Sequence, residues 1–152
     1  MVSSVLDQAQ RAEAEALISA RVHAWASAIV AKDIERVMSL YSADLVSFDL
    51  DPPLRYAGTS NKRRAWEQLF SLFPATVSYE VTELSITAGA DTAFVHSLNH
   101  VAGRRTSGQV SELWLRWTAC FRRTGDAWFV THDHASVPAE LTQGRAALDL
   151  AP

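Results

Sequence analysis

The sequence predicts an α+β domain in which a strongly bent sheet, mixed or antiparallel, wraps three N-terminal helices. Three observations carry this. Up to Pro74, apolar residues recur at helical spacing in three separate stripes. After Pro74 the period changes to two. That second part divides into four segments joined by short turn signals, the pattern of an antiparallel meander.

The first helix runs from about Asp7 to Ala31. Ile18, Val22, Trp25 and Ile29 form a single apolar stripe, and alanine, the best helix former, is abundant. Asp33 offers a side-chain acceptor to the free N–H groups of a second helix, where Ile34, Val37, Met38 and Tyr41 keep the helical spacing. Leu45, Val46, Ser47 and Phe48 read as a short strand that Pro52-Pro53 stops, because proline cannot donate to a ladder. Tyr56-Ala57-Gly58 leads to Thr59 or Ser60 as N-cap of a third helix. Its stripe is Trp66, Leu69, Phe70 and Phe73.

Val77, Tyr79 and Val81 then alternate with Thr76, Ser78, Glu80 and Thr82, whereas Leu84, Ile86 and Ala88 carry the apolar phase on even numbers. A one-residue slip swaps faces, so a bulge or bend is expected near Thr82-Glu83. After the turn Gly89-Ala90-Asp91, the strand Thr92–Ala102 sets Phe94, His96, Leu98 and His100 on one face. Ala93, Val95, Ser97, Asn99 and Val101 take the other. A polar loop, Gly103–Gly108, precedes a long strand, Gln109–Arg122, and Thr124-Gly125-Asp126 turns it into the last one. With strict alternation, Trp128, Val130, His132, His134 and Ser136 share one face of that closing strand and line a half-polar cavity.

The long strand is apolar on both sides. Leu113, Leu115, Trp117, Ala119 and Phe121 make one face; Trp114 and Cys120 belong to the other, with Glu112, Arg116 and Thr118. One face covers the helices, and the other needs a cover of its own. A second copy of the chain supplies it economically, giving a homodimer through sheet faces; folding of the tail Leu141–Pro152 over it is the alternative. The Leu113–Phe121 seam is the more continuous, so it is assigned to the dimer. That turns Arg116 inward, where its planar fork holds a carboxylate ligand.

The bulk numbers narrow the function classes. The chain has 152 residues, 48% of them hydrophobic, which suits one domain over residues 1–152. Net charge is −3, and no basic run exceeds Lys62-Arg63-Arg64, so neither nucleic acid nor an anionic membrane is expected as main partner. No apolar run approaches the roughly 20 residues that span a bilayer. Met1–Ala20 has no unbroken apolar core of a signal peptide. Cys120 stands alone, without a base nearby in sequence. It reads as buried and inert, and a disulfide-free chain fits the cytoplasm.

At this point the chain resembles the nuclear transport factor 2-like superfamily, in particular its ketosteroid isomerase-like and SnoaL-like members. The residues concerned are Ala31–Asp44, with its Asp-capped helix and acidic turn; Phe48-Asp49 at the end of the first strand; Gly58 before the third helix; and Gly125–Ser136, with Trp128 followed by His132, His134 and Ser136. The resemblance covers about Ala16–Pro138 and implies a cone-shaped fold. It places Asp49 where ketosteroid isomerases keep their catalytic base, a carboxylate at the mouth of an apolar cone that takes a proton from carbon beside a carbonyl. Asp49 has a plainer reading too, preparing the Asp51-Pro52-Pro53 turn. The position of the isomerase's oxyanion-binding tyrosine holds Trp25, and its second donor falls near Ala119 or Cys120. Steroid isomerisation therefore does not carry over, since the oxyanion donors it needs are missing.

The expected catalytic residues are Asp49, His132 and His134, an acid/base set near neutral pH. His96 and His100 repeat the two-residue spacing. Any of these histidines can instead simply donate to a backbone carbonyl or a carboxylate. His132 and His134 with Glu112 or Asp49 would also suit Zn or Fe, but nothing in the spacing demands it, and no metal or cofactor is expected. Trp25, Trp66, Phe70, His96, Trp114, Arg116 and Trp128 are the expected ligand-binding residues, with the tryptophans and Phe70 walling a pocket for a small apolar or aromatic ligand. Two functions follow: proton transfer on an apolar carbonyl compound by a SnoaL/ketosteroid isomerase-like protein, or a non-catalytic ligand-binding or oligomerisation module.

Overall fold

The computed structural model describes residues 6–75 and 77–152. The part of the N-terminal reading that rests on residues 1–5, and the place of Thr76 in the strand alternation, lie outside the described residues. The elements are α1 (Gln8–Val30), α2 (Ile34–Met38), β1 (Tyr41–Phe48), β2 (Tyr56–Ala57), α3 (Thr59–Leu72), β3 (Val77–Ala88), β4 (Thr92–Arg104), β5 (Val110–Thr124), β6 (Ala127–Ser136), β7 (Ala139–Glu140) and β8 (Arg145–Ala146). Asp7 opens α1 as a capping box, accepting from the Gln10 N–H at 2.8 Å while the Gln10 side chain accepts from the Asp7 N–H at 3.0 Å. Asp33 caps α2 as expected, accepting from the Arg36 N–H at 3.1 Å. The α1 stripe is the heart of the core: Ile18, Val22, Trp25 and Ile29 are each at most 3% exposed.

Six strands form one sheet in the order β2-β1-β6-β5-β4-β3. The β3–β6 run is the expected antiparallel meander, and β1 joins it through a parallel pairing with β6. Parallel neighbours need a long crossover. Here the intervening chain is α3 and the meander itself, which is what curls the sheet around the helices. The expected bulge in β3 is present: the register on β4 shifts between Thr82 and Ser85, with Glu83 at φ +50°.

Several local expectations are corrected. Tyr41 is not on the second helix; α2 stops at Met38 and Tyr41 begins β1, because its ring is needed in the sheet-side core. Neither Thr59 nor Ser60 caps α3. The cap is Gly58, at φ +76°, whose N–H donates to the Leu45 carbonyl at 2.7 Å; backbone geometry here replaces a side-chain cap.

The faces of β5 are the reverse of those expected. Leu115, Trp117, Ala119 and Phe121 are buried under the helices, and Arg116 and Thr118 are exposed on the outer face. The more continuous apolar seam is simply the one the helices cover. Within Leu141–Pro152 only Ala147 is buried, and Leu141 is 89% exposed, so the tail does not act as the apolar cover. Among the described residues no helix is long and apolar enough to cross a membrane.

Candidate functional site

The site grows from one lysine. Lys62 lies one helical turn before Trp66, so it falls on the buried stripe of α3 and is only 4% exposed. Burying an ammonium costs several kcal/mol unless it is paired. Its Nζ donates to Asp49 Oδ2 at 2.7 Å and to Ser47 Oγ at 3.0 Å, and it lies 3.1 Å from Asp133 Oδ2. The Tyr41 and Trp66 rings lie 5.6 and 6.0 Å from it. Burial alone would lower the Lys62 pKa; Tyr41, Asp133 and Asp49 reverse this, and the net direction is upward. Lys62 is therefore a permanent positive charge at neutral pH, not a nucleophile.

Asp133 is 1% exposed. Its Oδ2 faces Lys62 and accepts from Trp117 Nε1 at 3.4 Å, whereas its Oδ1 is buried without a hydrogen-bond partner. Arg21 Nε, Trp25 Nε1 and Trp128 Nε1 are likewise buried without a partner, but of these four side chains only Asp133 and Trp25 line the cavity described next. Asp133 reaches the inner face through a β-bulge. Phe121 pairs with Val130 and Cys120 with His132, so Thr131 is an extra residue on β6, and its hydroxyl donates to the Cys120 carbonyl at 3.3 Å. Trp128 and Val130 point inward before the bulge, and Asp133 after it.

Asp133, Asp49 and Lys62 line a cavity of about 140 Å³. Trp25, Trp66, Tyr79 and Trp117 wall it, and Leu50, Asp51 and Gln68 stand at its exposed rim. Trp25 stacks on Trp117 at 5.0 Å and meets Trp66 and Tyr79 edge-on at 5.7 and 5.3 Å. The Tyr79 hydroxyl accepts from Asn99 Nδ2 at 2.9 Å, and Asn99 Oδ1 accepts from the buried Ser97 hydroxyl at 2.7 Å. In that chain the Tyr79 oxygen is the acceptor, and its own proton has no acceptor among the described residues. Burial pushes the Tyr79 pKa up, so at neutral pH it is a donor.

Of the residues expected from sequence, Asp49, Trp25 and Trp66 come together here. Asp49 sits at the mouth, its second oxygen accepting from the Leu50 N–H at 2.8 Å. The others do not join them. The bulge at Thr131 turns His132 and His134 to the outer face of the sheet. His132 Nδ1 donates to the Val46 carbonyl at 2.8 Å, the plainer of its two sequence readings, and His134 is exposed, edge-on to Phe48 at 5.7 Å. His96 is exposed on the outer face of β4. Trp114 packs on His100 on that same face, their rings 4.6 Å apart, and Arg116 Nε donates to the Ser136 hydroxyl at 3.1 Å, far from any inward carboxylate site. Trp128 is core, 1% exposed and away from the cavity; Phe70 packs behind Trp66 at 6.1 Å and does not line it. Cys120 is half-buried on the outer face, not buried. Among the described residues no group of three His, Cys, Asp or Glu side chains is arranged to hold a metal.

Sequence reasoning missed Lys62, Asp133, Tyr79 and Trp117. Lys62 carried a readable signal, a charge in phase with the Trp66 stripe. Asp133 carried none, because strict alternation assigns it to the face opposite Trp128.

This curved α+β cone, with a polar cluster at the bottom of an aromatic cavity, defines the class of protein. Residues 18–140 match the SnoaL-like domain, and the chain belongs to that family, within the nuclear transport factor 2-like superfamily. An NTF2-like protein of unknown function from Pseudomonas putida KT2440 is 29% identical with a TM-score of 0.84, the match covering 93% of this chain and 98% of that one. A ketosteroid isomerase-like protein from Erwinia carotovora atroseptica SCRI1043 is 23% identical, with a TM-score of 0.69 over 82% and 95% of the two chains. A candidate scytalone dehydratase from Novosphingobium aromaticivorans DSM 12444 shares the fold at 13% identity, with a TM-score of 0.74 over 82% and 83%. No curated protein matches the sequence.

Proposed function

We propose that the protein binds a small carbonyl compound in the aromatic cavity and moves a proton on it, with Asp133 as the base. The observation that carries this is Asp133, a residue of the cavity lining whose Oδ1 is buried without a hydrogen-bond partner. The C–H bond beside the carbonyl breaks, its proton goes to Asp133 Oδ1, and the electron pair moves to the carbonyl oxygen. The Tyr79 hydroxyl donates to the resulting enolate, and return of the proton completes the turnover. Lys62 is a positioning residue that holds both carboxylates in place. Two structural relatives named as isomerase-like and as a candidate dehydratase support the reading. The single half-buried cysteine is consistent with a cytoplasmic setting.

Deuterium incorporation into cyclohexanone and cyclohexenone in D₂O, followed by NMR, tests the chemistry. The wild-type protein is expected to accelerate exchange, and Tyr79→Phe to slow the catalysed rate by about 10²–10³-fold, the usual effect of removing one oxyanion donor. Binding of these ketones with no exchange above the protein-free rate would replace the enzyme reading by the non-catalytic one.

A second copy covering the outer sheet face is a further part of the reading. Phe94 is 52% and Phe48 38% exposed there, on the same face as the His100–Trp114 pair. Light scattering is expected to give a dimer for the wild type and a monomer for Phe94→Glu, with unchanged circular dichroism. A monomeric wild type at high protein concentration rules this out.

A further inference from the structure

We infer that the cavity is built for a single-ring compound bearing a protonated amine, and that it rejects carboxylates. This rests on the cavity being the ligand site and adds the size and charge of what enters it. Size comes first. A volume of about 140 Å³ is close to the roughly 150 Å³ known to admit benzene. One ring fits in the space that Trp25, Trp66, Tyr79 and Trp117 border, whereas a fused polycycle does not.

Charge comes second. The acidic and basic side chains of the lining are Asp49, Asp51, Asp133 and Lys62, three carboxyl groups and one amine, a formal net charge of −2. Lys62 is already committed to two of these carboxylates, at 2.7 and 3.1 Å. Asp51, at the rim, has no ion-pair partner among the described residues. Arg116, the guanidinium that would have welcomed a carboxylate, lies on the outer face of the sheet. An entering carboxylate thus meets uncompensated negative charge and a carboxylate oxygen with no proton to offer. A cation meets the reverse, acidic side chains at the mouth.

The ring lies against the tryptophan cluster, with its reactive carbon on the Asp133 side. The amine stays at the rim, beside Asp49 and Asp51. Asp133 Oδ1 is then free for the proton, and the charge that selects the ligand is separate from the charge that does the chemistry.

Three probes with the same ring and a one-carbon arm test this at pH 7: benzylamine, benzyl alcohol and benzoate, titrated calorimetrically. Benzylamine is expected to bind at least about tenfold more tightly than benzyl alcohol, a 1.4 kcal/mol preference, and benzoate not measurably. Asp51→Asn, an exposed position, is expected to lower benzylamine affinity several-fold and to leave benzyl alcohol as it was; added salt should weaken only benzylamine. Equal binding of amine and alcohol, binding of benzoate, or no binding of any probe overturns the inference. Amine preference without proton exchange on any ketone would leave this inference standing and remove the proposed catalysis. Exchange that needs Asp133 but shows no amine preference would do the opposite.

Discussion

Lys62→Met is expected to destabilise the protein by about 3–5 kcal/mol at pH 7, the cost of leaving a buried charge without its counter-ion. The substitution keeps most of the side-chain volume against Trp66 and Tyr41 but removes the ammonium between Asp49 and Asp133, 2.7 and 3.1 Å away. Asp133, at 1% exposure, is then left without a cationic partner. The pH dependence separates this cause from lost packing. In the wild type the Lys62 pKa lies above its ordinary value, so its contribution is complete below the unfolded value of about 10.4 and is lost only as pH rises through the folded one. Nothing from this group changes across the neutral range. In the variant, protonating a carboxyl removes the uncompensated charge, so the deficit should shrink at acid pH. Urea unfolding at several pH values measures both. A deficit below about 1 kcal/mol at pH 7, or one unchanged at low pH, means the three groups do not act as a charged unit.

Asp133→Asn is expected to remove catalysed proton exchange almost entirely, by about 10²–10⁴-fold, the range for loss of a general base. Lys62 keeps its 2.7 Å partner Asp49 and its hydrogen bond to Ser47, so the fold should persist. Asp49→Asn provides the comparison. Asp49 is at the mouth, with one oxygen on Lys62 and the other on the Leu50 N–H, and its loss should slow exchange much less. If the two substitutions exchange places in severity, the base is Asp49 and the role given to Asp133 is wrong. Thermal melts of both variants guard against reading unfolding as lost chemistry.

Much of the architecture was legible because it depends on local periodicity. The α1 stripe, the Asp33 cap, the change of period after Pro74 and the β3 bulge near Glu83 all leave marks in neighbouring residues. At Glu83 the apolar phase itself changes from odd to even numbers. The bulge at Thr131 leaves no such mark. The run Trp128 to Ser136 alternates convincingly without it, and two histidines fall on the wrong side as a result. Lys62 lies between these cases. Its phase with Trp66 was readable, but a lysine inside a basic run reads as a solvated face until the carboxylates that surround it are known.

The sequence by itself determined the α+β class, the order of helices and strands, and the meander. Each depends on spacing between residues a few positions apart. Only the tertiary structure decided which face of β5 the helices cover, that one inserted residue turns Asp133 rather than His132 inward, and that Lys62, Asp49 and Asp133 meet. Those are questions of register and burial. Their answers depend on the parallel pairing of β1 with β6 and on which surface the core excludes from water, and neither is a property of any short stretch of chain.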